Sequence, residues 1–167
     1  MELAASNLFR ARWTESIHDE WTVNLIRNRP DLSKEKITRL RNLMNDSVLD
    51  ALVTGYEMLI ESLSLPDPDD RHVLAAAIRS GAGTIVTYNI KDFPAESLSP
   101  FGIEAQHPDD FLVHLIDLHP AATSAAAKRH RARLKNPPRT VDEYLETLAK
   151  LSLPETVARL QEYSEVI

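Results

Sequence analysis

The sequence predicts an α/β fold built around half of a doubly wound unit, and three observations carry that reading. The stretch Leu65 to Phe93, LPDPDDRHVLAAAIRSGAGTIVTYNIKDF, places acids, a helix, a glycine turn, a strand and a further acid in that order. Its run Thr84-Ile85-Val86-Thr87-Tyr88 has the β-branched and aromatic content of a short buried strand. The acids fall at the helix start and just beyond the strand, the edge where doubly wound sheets bind ligands.

Taken in order, Met1 to Ala5 reads as the tail of a helix with Asn7 as its C-cap. Leu8 to Trp13, LFRARW, alternates apolar and basic residues as a strand does. Thr14 or Ser16 caps the next helix, whose apolar face is Ile17, Trp21, Leu25 and Ile26. His18 is expected at the surface, since no second His or Cys stands at ligand spacing. Pro30 stops that helix, and Ser33 caps another with the stripe Ile37, Leu40 and Met44. The cations Lys34, Lys36, Arg39 and Arg41 form either a solvated face or a contact for RNA or an acidic partner. Ala51 to Thr54 is a candidate strand broken by Gly55, and Tyr56 to Leu63 a short helical turn.

In the central helix, Asp69 or Asp70 is the N-cap, where the macrodipole favours negative charge. Val73, Leu74, Ala77 and Ile78 form its apolar stripe, Ala75 and Ala76 allow close packing, and Gly81 and Gly83 end it. After Phe93 come a loop, a short strand IEAQ, and a helix opened by Pro108 with Phe111, Leu112, Leu115 and Ile116 inward. Asp109 and Asp110 are first-turn acids of that helix, with one near enough in topology to assist a metal site. Ala121 to Leu134 is a helix rich in Ala and Arg. Thr140 and Glu143 make a capping box for a helix with Val141, Tyr144, Leu145 and Leu148 on one face. A last helix after Pro154 turns Val157, Leu160 and Val166 inward.

This topology brings Asp70, at the helix start, to Asp92, in the loop after the strand. Converging carboxylates repel one another unless a cation lies between them. With no cysteine and no histidine cluster, hard oxygen ligands favour Mg²⁺ or Mn²⁺ over zinc. Spacing alone leaves a second reading open, in which Asp67, Asp69 and Asp70 cap a helix and Asp92 closes a turn.

The segments DPDDRHVLAAAI and TIVTYNIKDF resemble the second half of a PIN domain, the ribonuclease fold of VapC-type toxins. The match is closest to the larger subfamily with a helical C-terminal extension and covers about residues 3–118. It implies an α/β, PIN-like three-layer fold with a short parallel sheet flanked by helices. A PIN-like domain then spans residues 1–119 and a helical extension residues 120–167. The resemblance further implies that Asp70 and Asp92, joined by Glu20 from IHDEW, bind Mg²⁺ or Mn²⁺ and act in catalysis, with Asp67, Asp69 and Asn89 one step out from the ion. Asp19 points elsewhere, about 100° around the helix from Glu20.

The implied activity is metal-dependent endoribonuclease, hydrolysing RNA phosphodiesters, with an antitoxin protein as partner. The family's first strand and its aspartate have no counterpart here. That departure leads to two expectations: a gap in the sheet filled by a strand from a second copy or a separate peptide, making a dimer or a partner-dependent fold, and an alternative function as a catalytically crippled PIN-like binding module acting through a protein partner.

Composition bounds the classes. The chain has 167 residues, 43% of them hydrophobic, and no cysteine, which suits a reducing cytoplasm. No apolar run approaches the roughly 20 residues that span a bilayer, and no secretory signal opens the sequence, so a soluble cytoplasmic protein is expected. The net charge of −6 is uneven: residues 121–139 hold six basic residues and no acid. The block AAAKRHRARLK makes Arg129, Arg131 and Arg133 candidates for tracking a phosphate backbone.

Overall fold

The computed structural model describes residues 1–167. In chain order its helices are α1 (Glu2–Ala5), α2 (Glu15–Asn28), α3 (Lys34–Ser47), α4 (Glu57–Ile60), α5 (Arg71–Ser80), α6 (Ala95–Leu98), α7 (Pro108–Leu118), α8 (Pro120–Arg133), α9 (Val141–Lys150) and α10 (Pro154–Gln161). Strands β1 (Thr84–Val86) and β2 (Glu104–Gln106) form a short parallel two-stranded sheet. Glu104 N–H donates to the Gly83 carbonyl at 3.0 Å, and Thr87 N–H donates to the Gln106 carbonyl at 3.0 Å. The fold class is α/β, with a helical C-terminal region. No helix is long and apolar enough to cross a membrane.

Two of the expected strands shrink to a single contact. Leu8–Trp13 and Ala51–Thr54 meet only through one parallel bridge, Trp13 with Leu52. Asn7 and Gly55, both left-handed, bound the two stretches on either side. Leu8–Trp13 does not pair with Thr84–Tyr88.

The chain divides into two compact units. The acid-bearing unit comprises Arg10–Ile85 and Asn89–Ala105. Its core gathers Leu74, Ala75, Ala76 and Ala77 of α5 against Ile85, Phe93, Leu98 and Ile103. The small alanines let α5 lie close to the strand that follows it, and Gly81, in the left-handed conformation, closes the helix. In the same unit His18 proves to be fully buried, which corrects the surface placement. Trp21 Nε1–H, which can only donate, gives its hydrogen to His18 Nδ1 at 2.9 Å. The ring proton therefore sits on Nε2 and is donated to Asn45 Oδ1 at 2.9 Å, an oxygen that also accepts Trp13 Nε1–H at 2.7 Å. This network ties α2 to α3 and explains why a polar residue occupies the centre of the α2 face. Ile26 and Leu40, expected inward, are exposed.

The second unit comprises Met1–Phe9, Val86–Tyr88 and Gln106–Ile167. Here α1 packs on α8, while α7 packs on α8 and α10, around Ile116, Ala127, Tyr144, Leu145, Leu160 and Ile167. Helices α1 and α7, which the sequence places before residue 120, thus pack with those after it. The Thr140–Glu143 capping box forms as expected. Val166 is exposed, and Ile167 takes the inward place instead.

Asp109 holds this unit together. The N-cap of α10, Leu153, has no side-chain acceptor to offer the open N–H groups of that helix. Asp109, 4% exposed, supplies both oxygens, accepting Glu155 N–H at 2.9 Å and Thr156 N–H at 2.8 Å. It is committed to structure within this unit. Burial pushes its carboxyl up, but the hydrogen bonds from Thr156 and Glu155 outweigh burial and hold it below its ordinary value. Because the folded carboxyl titrates below its unfolded value, the stabilisation is complete above the ordinary carboxylate range and fades as pH falls through the depressed value. Asp109→Ala is expected to cost about 2 kcal/mol at pH 7 in urea unfolding, and the difference from the parent should narrow in acid.

Candidate metal centre

The site is built on the start of α5. Pro68 opens a 3-10 turn over Pro68–Asp70, and Asp67 caps it by accepting Asp69 N–H at 2.9 Å. In a 3-10 turn, side chains three apart eclipse, so Asp67 and Asp70 lie on the same side. Asp69, between them, is exposed and belongs to neither the cap nor the cluster. The capping role expected of Asp69 or Asp70 is therefore carried by Asp67, and Asp70 occupies the N-cap position of α5 without a side-chain cap bond.

Asp92 arrives from the other side. It ends a 3-10 turn over Ile90–Asp92 directly before Phe93, which is buried and anchors the loop in the core. Asn89 Nδ2–H donates to Asp92 Oδ2 and orients the carboxylate. The result is a cluster in which carboxylate oxygens of Asp67, Asp70 and Asp92 all lie within 4.8 Å of one another. Oxygens around an octahedral ion with bonds of ~2.1 Å stand about 3–4.2 Å apart, so three hard ligands at this spacing fit Mg²⁺ or Mn²⁺.

Electrostatics give the same account. Burial raises the Asp70 carboxyl above its ordinary value, the charges on Asp67, Asp92 and Glu20 raise it further, and His72 opposes the rise. Glu20, on α2, is not one of the three converging acids. Its Oε1 accepts from His72 Nε2 at 2.7 Å, with the Glu20 side chain 52% exposed and that of His72 only 11%. Asp19 turns away, as expected, to pair with Arg41 of α3 at 2.7 Å.

A PIN domain model matches residues 1–91, and a VapC50 C-terminal domain model matches residues 108–162. The chain belongs to the PIN domain family. It is 40% identical over 109 residues to "Putative ribonuclease VapC50" of Mycobacterium tuberculosis (strain ATCC 25618 / H37Rv), a stretch covering 65% of this chain and 63% of that relative. No solved structure matches.

Within this PIN domain, Asp70 and Asp92 come together as the sequence suggests, with Asn89 beside them. Asp67 lies in the same cluster and also caps the 3-10 turn. His72 was not singled out, although its position two residues after Asp70 roots it in the same turn.

The arginines of α8 lie in the second compact unit. Arg129 and Arg133 both pair with Glu2. Arg131 donates to the carbonyls of Arg139 at 2.8 Å and Ile167 at 3.3 Å. The basic block is thus partly occupied by packing among the helices of its own unit.

The crowding of charge has a measurable consequence. Because the Asp70 carboxyl titrates above its unfolded value, its contribution to stability is fullest below the ordinary carboxylate range and declines as pH rises to the raised value. Asp70→Asn should therefore stabilise the metal-free protein at pH 7 by about 0.5 kcal/mol, the scale of a partly exposed charge interaction. The gain should vanish near pH 3, as read by urea unfolding at both pH values.

Proposed function

We propose that this PIN domain protein is a metal-dependent endoribonuclease of the VapC type, hydrolysing RNA phosphodiesters. The observation that carries the reading is the convergence of Asp67, Asp70 and Asp92 in a chain of this family. Asp70 and Asp92 hold Mg²⁺ or Mn²⁺, Asp67 completes the set from the 3-10 turn, and Glu20 adds a fourth carboxylate from α2. Asn89 orients Asp92. The bound ion supplies charge for the scissile phosphate and lowers the pKa of the attacking water. The carboxylates are acceptors, so a water beside them is oriented with its hydrogens toward oxygen and its lone pair free for phosphorus. Hydrolysis then adds water across one P–O bond, and the leaving oxygen takes a proton.

In the second unit, Arg129 and Arg133 have exposed guanidinium groups even while paired with Glu2, which supports a role along an RNA backbone. Arg131 is held by carbonyls and serves packing. The likeness to VapC50 supports a toxin of a toxin–antitoxin pair with an antitoxin protein as partner, and the absence of cysteine supports the cytoplasm as its place. The pairing of β1 on one side, to β2, supports a completing strand from a second copy of the chain or a separate peptide.

Manganese titration calorimetry and cleavage of a mixed RNA pool test the reading together. Asp70→Asn and Asp92→Asn should each weaken Mn²⁺ binding by more than about tenfold and abolish cleavage, while Asp69→Asn leaves both near the parent value. Metal binding without cleavage would favour the alternative of a non-cutting binding module. Equal Mn²⁺ affinity in Asp70→Asn would remove the site assignment.

A further inference from the structure

We propose that His72 is a positioning residue that presents Glu20 to the metal centre as its fourth carboxylate. The inference rests on the proposed metal reading and adds to it a residue that the three-acid cluster does not contain. Glu20 stands on α2, half exposed, on a side chain with three rotatable bonds. Left alone, such a carboxylate samples many rotamers in solvent. His72 removes that freedom. Its ring is nearly buried and rooted in the first turn of α5, two residues after Asp70, and its Nε2 lies 2.7 Å from Glu20 Oε1.

The direction of this hydrogen bond follows from the other ring nitrogen. His72 Nδ1 is buried and has no hydrogen-bond partner. A proton there would be an orphaned buried donor, and the Glu20 carboxylate can only accept, so Nε2 carries a proton and donates it to Glu20. A carboxylate oriented by an N–H on one oxygen keeps its second oxygen for a cation, the usual arrangement of a metal ligand and its outer partner. The charge of Glu20 is already felt at Asp70, which is consistent with a carboxylate held beside the cluster.

Calorimetric titration of the full chain with MnCl₂, alongside thermal melts, separates this role from a mere tie between helices. His72→Phe removes the donor, and its Mn²⁺ affinity should fall about 10–100-fold. His72→Gln places an amide N–H where Nε2 stood, and it should recover affinity to within a few-fold of the parent. In the Glu20→Gln background, His72→Phe should cause no further loss, because His72 acts through Glu20. Equal affinity of parent and His72→Phe would overturn the inference while leaving the metal centre intact, as would a loss in His72→Phe that persists undiminished in the Glu20→Gln background. If His72→Phe fails to fold, His72→Gln and Glu20→Gln decide: the inference requires parent-like binding in the first and weakened binding in the second. A parent chain that takes up no Mn²⁺ would overturn the metal reading and this inference with it.

Discussion

Three carboxylates within 4.8 Å of one another repel, and the acid-bearing unit is arranged to hold them together in spite of it. Two unit charges about 4 Å apart near a protein surface interact by roughly 4 kcal/mol before solvent screening reduces it. At these partly exposed side chains solvent screening reduces it to about 0.5 kcal/mol, and the backbone leaves the acids little choice of place. The Asp70 carboxyl is raised first by burial and then by the charges of Asp67, Asp92 and Glu20. A cation at the centre would add attractions to each carboxylate that outweigh the repulsion among them. Under the proposed metal reading, the crowding that weakens the metal-free fold is relieved when a cation binds, so stability and function oppose each other at one point in the chain.

The confinement comes from apolar packing. Ala75, Ala76 and Ala77 seat α5 in the core, so the 3-10 turn at its start cannot drift. Phe93 does the same for the loop that carries Asp92. Neither acid is positioned by a salt bridge to a cation of the protein. The hydrogen bonds that do reach the site, from Asn89 to Asp92 and from His72 to Glu20, orient carboxylates without neutralising the cluster. The second unit uses an acid in the opposite way. Asp109 is surrounded by N–H donors and its charge is satisfied by the start of α10, so it stabilises structure and is unavailable for metal.

Local chemistry made much of this legible in the sequence. The α5 stripe, Gly81, the strand at Thr84 and the Thr140 capping box depend on residues within one or two turns of each other, and all form. Asp70 and Asp92 were identifiable because the helix–turn–strand order fixes which ends meet. What escaped depends on long-range partners. Asp109 finds its donors 46 and 47 residues away, and His18 is buried by virtue of Asn45, 27 residues on. Asp67 comes beside Asp70 for a local reason, since the Pro68 turn is a 3-10 turn and carries residue 67 back onto the side of residue 70. The strand pattern in Leu8–Trp13 misled because alternation specifies a face and leaves open whether a neighbour extends far enough to form a ladder.

Paramagnetic broadening by Mn²⁺ of backbone amide NMR signals tests the central claim most directly. At a small fraction of one Mn²⁺ per chain, loss of signal is expected to centre on residues 67–72 and 89–93, with Glu20 included, and to be absent in Asp70→Asn. Broadening centred on other acids, such as those around Asp109, or an unchanged pattern in Asp70→Asn, would contradict it.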